Sequence, residues 1–446
     1  MSIIQRDKDL IWHPFTQAKT APDVVCIDKA RGSYIYDKNN KAYLDLISSW
    51  WVNIHGHAHP KIALAIYEQA LKLEHVIFAG FTHEPAVKLC EELQALLPIQ
   101  FKKFFFSDNG STAVEVALKM AYQYWRNLGN ADRTIFLSFQ GGYHGDTFGA
   151  MSVGAASGYH THFEKLFFEV LSIAYPESWQ GNEEIEQKEQ QSLLELDNYL
   201  EQYGQKIAAI ILEPLIQGAS GMRMCRASFI KAVIEKVRAY NILVIFDEIM
   251  TGFGRTGTYF AFEQLDIVPD FLCLSKGISG GFLPLALTIT QQNIYDSFLG
   301  DDISKAFLHG HSYTANPIAC SAAIASLDLL KNEDCKKQIK QINLVHKIAV
   351  EEIIKECSFV EKIRVKGTIA AFNIKKHTAI MPMLKQKFFE AGLVLRPLGE
   401  TIYILPPYCV TKSELEDAYG KIIKILNTTL ISVSYTHLTL PTICSV

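Results

Sequence analysis

Ile242-Leu243-Val244-Ile245-Phe246-Asp247-Glu248 and Phe271-Leu272-Cys273-Leu274-Ser275-Lys276-Gly277 are the stretches that decide how this chain folds. Each is apolar at every position and then stops on a charged or polar residue. A strand with no polar face is one covered on both sides, the habit of a parallel sheet between helices. Working outward, Ala208–Leu212 is a similar run ending at Glu213-Pro214, Thr134–Phe139 reads as another strand, and Phe104-Phe105-Phe106 as a further one. Helical periodicity over Thr112–Trp125 and Ala227–Tyr240 fills the gaps, so the sequence predicts repeated βαβ units and an α/β fold with a mainly parallel sheet. Ligands in such sheets bind beyond the carboxyl ends of the strands, where Asp247 and Lys276 stand.

A chain of 446 residues exceeds one small core. After about residue 330 the texture changes to a charged helical stretch, Asn332–Cys357, followed by the strand candidates Val365–Ile374 and Ile402–Leu405 and a final helix from Lys412 to about Leu426. We therefore expect a large domain over 51–330, which contains Asp247 and Lys276, and a smaller α+β domain over 331–430. The N-terminal segment 1–50 carries a candidate hairpin, Gly32–Tyr36 and Ala42–Leu46, that packs with the small domain. Residues 431–446 have no acidic or basic side chain except His437 and contain Pro441, and read as a non-native or disordered tail. Glu183–Gln191 reads as an exposed insertion.

Hydrophobic residues make up 49% and charged ones 20%, with a formal net charge of −4, which offers no electrostatic footprint for nucleic acid or an anionic membrane. The nine cysteines are scattered with no C-x-x-C pair, and the charged start, Met1–Lys8, has no signal-like apolar region. No apolar run reaches the ~18 residues of a membrane span. A cytoplasmic location is expected. His55-x-His57-x-His59 lacks a carboxylate or cysteine at partner spacing, so no metal site is expected.

Alone, a lysine beyond a strand is a surface residue and an aspartate a helix cap. Together they suit pyridoxal phosphate, whose aldehyde needs a lysine amine and whose ring nitrogen needs a carboxylate. Ser107-Asp108-Asn109-Gly110-Ser111-Thr112 joins a strand to a helix, where free N–H groups bind phosphate, although an ordinary N-cap explains the same residues.

Asp247-Glu248-Ile249-Met250-Thr251-Gly252-Phe253-Gly254-Arg255-Thr256-Gly257, Ser275-Lys276-Gly277 with Gly280-Gly281, Gly141-Gly142-Tyr143-His144-Gly145 and Glu213-Pro214-Leu215-Ile216-Gln217-Gly218 together resemble the class III aminotransferases, from about Leu10 to Leu426. The resemblance implies a fold type I pyridoxal-phosphate enzyme, a large domain plus a smaller α+β domain, and an obligate homodimer with shared active sites. Three segments narrow it: Ile11-Trp12-His13-Pro14-Phe15-Thr16-Gln17, Ser48-Ser49-Trp50-Trp51 with His55-Gly56-His57, and Arg396-Pro397-Leu398-Gly399. They are similar to the branch of biotin synthesis that moves the amine of S-adenosylmethionine onto 8-amino-7-oxononanoate. That branch implies Gly110 and Ser111 on the cofactor phosphate, Tyr143 stacked on its ring, Asp247 on the ring nitrogen, and Lys276 as Schiff-base lysine and proton shuttle. His311 and Ser312 would reach the phosphate of the neighbouring subunit. Phe15, Trp50, Trp51, Gly310 and Arg396 would line the substrate site, with Phe15 standing where the family often has Tyr.

Arginine gives a carboxylate two parallel charge-assisted hydrogen bonds, and the indole faces offer apolar surface and attraction for a sulfonium. Arg255 reads as a brace for the loop after Asp247. Two alternatives stay open: a related aminotransferase using lysine or another ω-amine donor, and, further off, an aminomutase or a non-catalytic cofactor-binding module.

Overall fold

The computed structural model describes residues 1–375 and 378–438. Its centre is a seven-stranded sheet in the order Phe101–Ser107, Ala286–Gln291, Phe271–Leu274, Leu243–Asp247, Ile207–Leu212, Ile135–Phe139, Val170–Ile173. Only Ala286–Gln291 runs against the others, pairing antiparallel with both of its neighbours. That strand and Val170–Ile173 were not picked out in the sequence. Neither is a continuous apolar run closed by a charge: one alternates with threonine, the other is short.

The two apolar runs are two-sided, as strand alternation requires. Leu243, Ile245, Phe271 and Cys273 join the buried cluster containing Ala113, Val114 and Ala117 of helix Gly110–Asn127. Their alternates Val244, Phe246, Leu272 and Leu274 join the cluster containing Phe229, Ile230 and Val233 of helix Ala227–Ala239 on the opposite face. Each fully buried side chain of this size contributes roughly 1.5–3 kcal/mol, so both faces hold the strand ends in place.

A second layer is built from the two ends of the chain. Tyr34–Asp37 and Ala42–Asp45 pair antiparallel, and Ala42–Asp45 also pairs in parallel with Leu393–Val394. Val360–Lys366, Ile369–Ile374 and Thr401–Ile404 form a three-stranded antiparallel sheet against helix Glu333–Glu356, on which helix Lys412–Leu438 packs. No helix among the described residues is long and apolar enough to cross a membrane.

Two expectations need correction. Glu183–Gln191 is no idle insertion: helix Ile185–Tyr203 begins within it, and the Glu189 carboxylate is buried against the Arg226 guanidinium, 2.8 Å from Nε. The last helix does not stop near Leu426 but continues to Leu438. Residues 431–438 of the expected tail therefore have helical backbone, and 439–446 lie outside the described residues.

Candidate active site

The Leu243–Asp247 and Phe271–Leu274 strands pair in register, Asp247 opposite Cys273, so their ends bring Asp247 and Lys276 to one rim. Asp247 is buried, and its carboxylate accepts the Ile249 N–H at 3.1 Å and Nδ1 of His144 at 2.8 Å. Lys276 has φ +45°, a left-handed conformation that turns its chain sharply off the strand, and its amine lies 4.9 Å from the centre of the Trp51 ring. Burial lowers the Lys276 pKa, while the nearby Asp247 and Glu213 carboxylates oppose the shift. Removal from water thus favours the neutral, nucleophilic amine. Glu213 accepts the N–H groups of Tyr143 (3.2 Å) and Gly218 (2.9 Å). Burial pushes its carboxyl up to about 7, with His144 pulling it down and Asp247 adding to the rise.

On the opposite wall helix Gly110–Asn127 begins. Asn109 caps it by accepting the Thr112 N–H at 3.1 Å, while Thr112 Oγ1 accepts the Asn109 N–H at 3.2 Å. The amides of Gly110 and Ser111 belong to the first turn, which has no helical acceptors. The Ser111 hydroxyl accepts the Asp146 N–H at 3.0 Å, leaving its own proton to donate. A Cβ on Gly110 would come within 2.9 Å of Ile249, and one on Gly145 would collide with Ser111. Between the walls is a cavity of about 320 Å³ lined by Trp51, Gly110, Ser111, Tyr143, Asp247 and Lys276, among others.

The Trp pair is delivered by an unusual piece of backbone. Ser48, Ser49, Trp50 and Trp51 all have positive φ (50°, 44°, 69° and 75°), and the Trp51 N–H bonds back to Ile47 O at 2.8 Å. This is a single left-handed helical turn without glycine, costing roughly 1–2 kcal/mol per residue. Trp51 is buried, and its indole N–H donates to the Tyr403 hydroxyl at 3.1 Å. Trp50 faces the guanidinium of Arg396, 3.9 Å from its ring centre, and meets the Phe15 ring at 5.4 Å. Phe15 also contacts Tyr159, whose ring meets Tyr143. Arg396 has no ion pair among the described residues, so its fork is free for a carboxylate.

The structure thus gathers Phe15, Trp50 and Arg396 into one cluster, and Trp51, Gly110, Ser111, Tyr143, Asp247 and Lys276 into the cavity. Gly310, His311 and Ser312 do not line that cavity. Their loop instead runs along helix Gly110–Asn127 further from its start, where Lys119 reaches His309 at 3.0 Å and Gln123 reaches Ala306 O at 3.0 Å. Arg255 is fully buried and donates to the carbonyls of Pro406 (2.9 Å), Trp51 (3.2 Å) and Asn53 (3.4 Å), which is bracing. Of the three spaced histidines, His55 bonds Ser326 and His57 bonds Asp45. No group of residues suited to a metal ion occurs among the described residues.

Sequence reasoning missed His144 and Glu213 as residues of the candidate site, although both stand inside quoted motifs and line the cavity. Tyr159 was missed as well. Their pairing spans more than a hundred residues in the case of His144 and Asp247, and no local pattern announces it. The residues fit pyridoxal phosphate: a lysine amine for the aldehyde, a carboxylate for the ring nitrogen, helix-start amides with a hydroxyl for the phosphate, and an aromatic ring. His144 lines the cavity, and its Nε2 is buried with no partner among the described residues.

Comparison with known proteins agrees. The family Aminotransferase class-III matches residues 16–426. An adenosylmethionine-8-amino-7-oxononanoate aminotransferase of Synechococcus elongatus is 47% identical over 94% of this chain and 98% of its own length. One from Helicobacter pylori is 39% identical, covering 94% and 97%. Among solved structures, the enzyme of that name from Methanocaldococcus jannaschii superposes with a TM-score of 0.88 at 33% identity, covering 95% of this chain and 98% of that one. The omega transaminase of Pseudomonas jessenii in complex with PMP gives 0.91 at 25% identity, covering 97% and 99%. The architecture is that of fold type I pyridoxal-phosphate-dependent transferases. With the family matched across nearly its whole length and the site residues gathered at one sheet rim, the chain belongs to the class III aminotransferases.

Proposed function

We propose that this chain transfers the amino group of S-adenosylmethionine to 8-amino-7-oxononanoate, forming 7,8-diaminononanoate in biotin synthesis, and that it does so as a cytoplasmic homodimer. The observation that carries the substrate reading is the unpaired Arg396 guanidinium on the face of Trp50, the chain neighbour of Trp51, whose ring centre lies 4.9 Å from the Lys276 amine. An acceptor with a carboxylate at one end and a ketone at the other fits that pairing. Relatives bearing the name of this reaction, at up to 47% identity over 94% of the chain, add support.

Gly110 and Ser111 would hold the cofactor phosphate, Tyr143 would cover its ring, Asp247 would meet the ring nitrogen, and Lys276 the aldehyde. When bound, the cofactor supplies an electron sink that makes the substrate Cα–H acidic. Lys276, its pKa lowered by burial, takes that proton and returns it, acting as general base and then acid. His144 donates to Asp247 and keeps the carboxylate aimed at the ring nitrogen. Tyr143 and Trp51 exclude water from the amine. His311 and Ser312, outside this chain's own cavity, are assigned to the phosphate of the neighbouring subunit, and Gly310 to its substrate site. Exposed Trp12, Leu71, Leu308 and Tyr313 provide apolar surface for that association.

A donor screen with 8-amino-7-oxononanoate as acceptor, followed by cofactor absorbance, tests the reading. S-adenosylmethionine should give the highest kcat/KM, with ping-pong kinetics and release of a deaminated donor. A preference for lysine or another ω-amine refutes the donor assignment. Retention of nitrogen in the donor skeleton would identify an aminomutase. Sedimentation equilibrium at the mass of a monomer refutes the dimer.

A further inference from the structure

We propose that Asp45, His57 and Asn53 are positioning residues: their network holds the left-handed Ser48–Trp51 turn, and so keeps Trp50 against the Arg396 guanidinium that anchors the acceptor carboxylate. This rests on the acceptor reading above.

Asp45 is fully buried, no lysine or arginine pairs with it among the described residues, and its carboxylate is spent on the turn. Oδ1 accepts the Ile47 N–H at 3.1 Å, while Oδ2 accepts the Ser49 hydroxyl at 2.9 Å and Nε2 of His57 at 3.0 Å. His57 Nδ1 faces Asn53 Nδ2 at 3.1 Å, and Asn53 Oδ1 accepts the Gly56 N–H at 2.8 Å. These partners assign the tautomer, with the His57 proton on Nε2 and the Nδ1 lone pair toward the amide. A buried carboxylate is costly unless its hydrogen bonds are satisfied, and here all of them go to the turn and its brace. None of the three residues lines the cofactor cavity.

The geometry of the turn explains what the network achieves. Trp51 is tied on one side, through its N–H to Tyr403 and its ring beneath Lys276. Trp50, its chain neighbour, points to Phe15 and Arg396. In an ordinary right-handed or extended backbone, consecutive side chains diverge in a different sense. Relaxation to negative φ would therefore swing Trp50 off Arg396 while Tyr403 keeps Trp51 in place.

The test compares wild type, Asp45→Asn and Asp45→Asn/Ser49→Gly as holoenzymes. Asparagine places a donor where the His57 N–H already points. The KM for 8-amino-7-oxononanoate should rise about tenfold while that for its methyl ester changes by less than about twofold, because a bond to the buried carboxylate is lost and the carboxylate anchor is displaced. Amine uptake from the donor in a single turnover should stay within about threefold, since Lys276 and Trp51 remain in place. Adding Ser49→Gly should restore the preference for acid over ester, because glycine adopts positive φ freely. A crystal structure of Asp45→Asn should show residues 48–51 out of the left-handed region. Unchanged acid-to-ester discrimination, or a loss that Ser49→Gly does not restore, overturns the proposal. If wild type fails to use the keto acid, the substrate reading fails, and the Asp45→Asn structure still decides: a retained turn refutes the network, a relaxed turn with Arg396 displaced supports it.

Discussion

Replacing His144 with Phe removes one hydrogen bond at the centre of the site and nearly preserves ring volume. His144 is buried, and its Nδ1 lies 2.8 Å from Asp247 Oδ2, while the Ile249 N–H at 3.1 Å holds the other oxygen. A hydrogen bond to a charged group contributes about 1.5–3 kcal/mol, more than a neutral pair, because the carboxylate is left partly unsatisfied when it is lost. At 1.4 kcal/mol per factor of ten, full expression of that loss in the transition state slows amine uptake by roughly ten- to a hundredfold. The assay is stopped-flow absorbance of the bound cofactor on mixing with donor, which isolates the first half-reaction. Cofactor content is measured in parallel, and His144→Asn provides a control that retains a donor at shorter reach. The rate should fall in Phe and partly recover in Asn, with cofactor content preserved in both. A Phe variant whose rate stays within about twofold of wild type refutes the reasoning, since Asp247 would then need no orienting partner.

Four further outcomes follow from the same geometry. Asp247→Asn should retain cofactor yet lose most turnover, because an amide does not hold a proton on the ring nitrogen; near-normal kcat refutes that role. Arg396→Ala should raise KM for the keto acid about tenfold or more and for its methyl ester far less, and equal losses point to a structural arginine. Gly110→Ala brings a Cβ within 2.9 Å of Ile249, so cofactor affinity, read by equilibrium dialysis, should fall by about tenfold, with an unchanged affinity counting against the phosphate assignment. Glu213 has its folded pKa raised from 4.5 to about 7, so the apoprotein binds its proton more tightly than the unfolded chain, and stability from this group is full below pH 4.5 and lost as pH rises through 7. The stability of Glu213→Gln relative to wild type should therefore climb by up to roughly 3 kcal/mol over that window in urea titrations of the apoprotein, and a pH-independent difference contradicts it.

Much of the fold was legible because its informative strands are uniformly apolar and end on charge. Ile242–Phe246 and Phe271–Leu274 reveal their two covered faces in composition alone, and Asp247 and Lys276 inherit their place from them. Ala286–Gln291 escaped notice because Thr288 and Thr290 interrupt its apolar pattern; their hydroxyls are satisfied inside the core, at Ala113 O and Asp270 O. At the site, the strand-to-helix junction marked Ser107–Thr112 as a candidate phosphate loop, and only the family resemblance singled out Gly110 and Ser111 within it. The His144–Asp247 contact joins distant segments and leaves no periodic trace. The left-handed turn at Ser48–Trp51 was opaque for another reason: positive φ is ordinarily signalled by glycine or asparagine, and this turn has neither, being held by Asp45 from outside.

The lone antiparallel strand also bears on how the protein is made. Phe101–Ser107 lies at the sheet edge, and among the described residues its one strand partner is Ala286–Gln291. During synthesis the earlier strand, with Phe104-Phe105-Phe106, leaves the ribosome long before that partner exists. Domains assemble as units during translation, and unpaired apolar edges are the surfaces that aggregate. The segment leading into the helix start at Gly110 is thus among the last parts of the sheet to be locked, so a chain cut short before residue 286 leaves this edge open to chaperones and to its own copies.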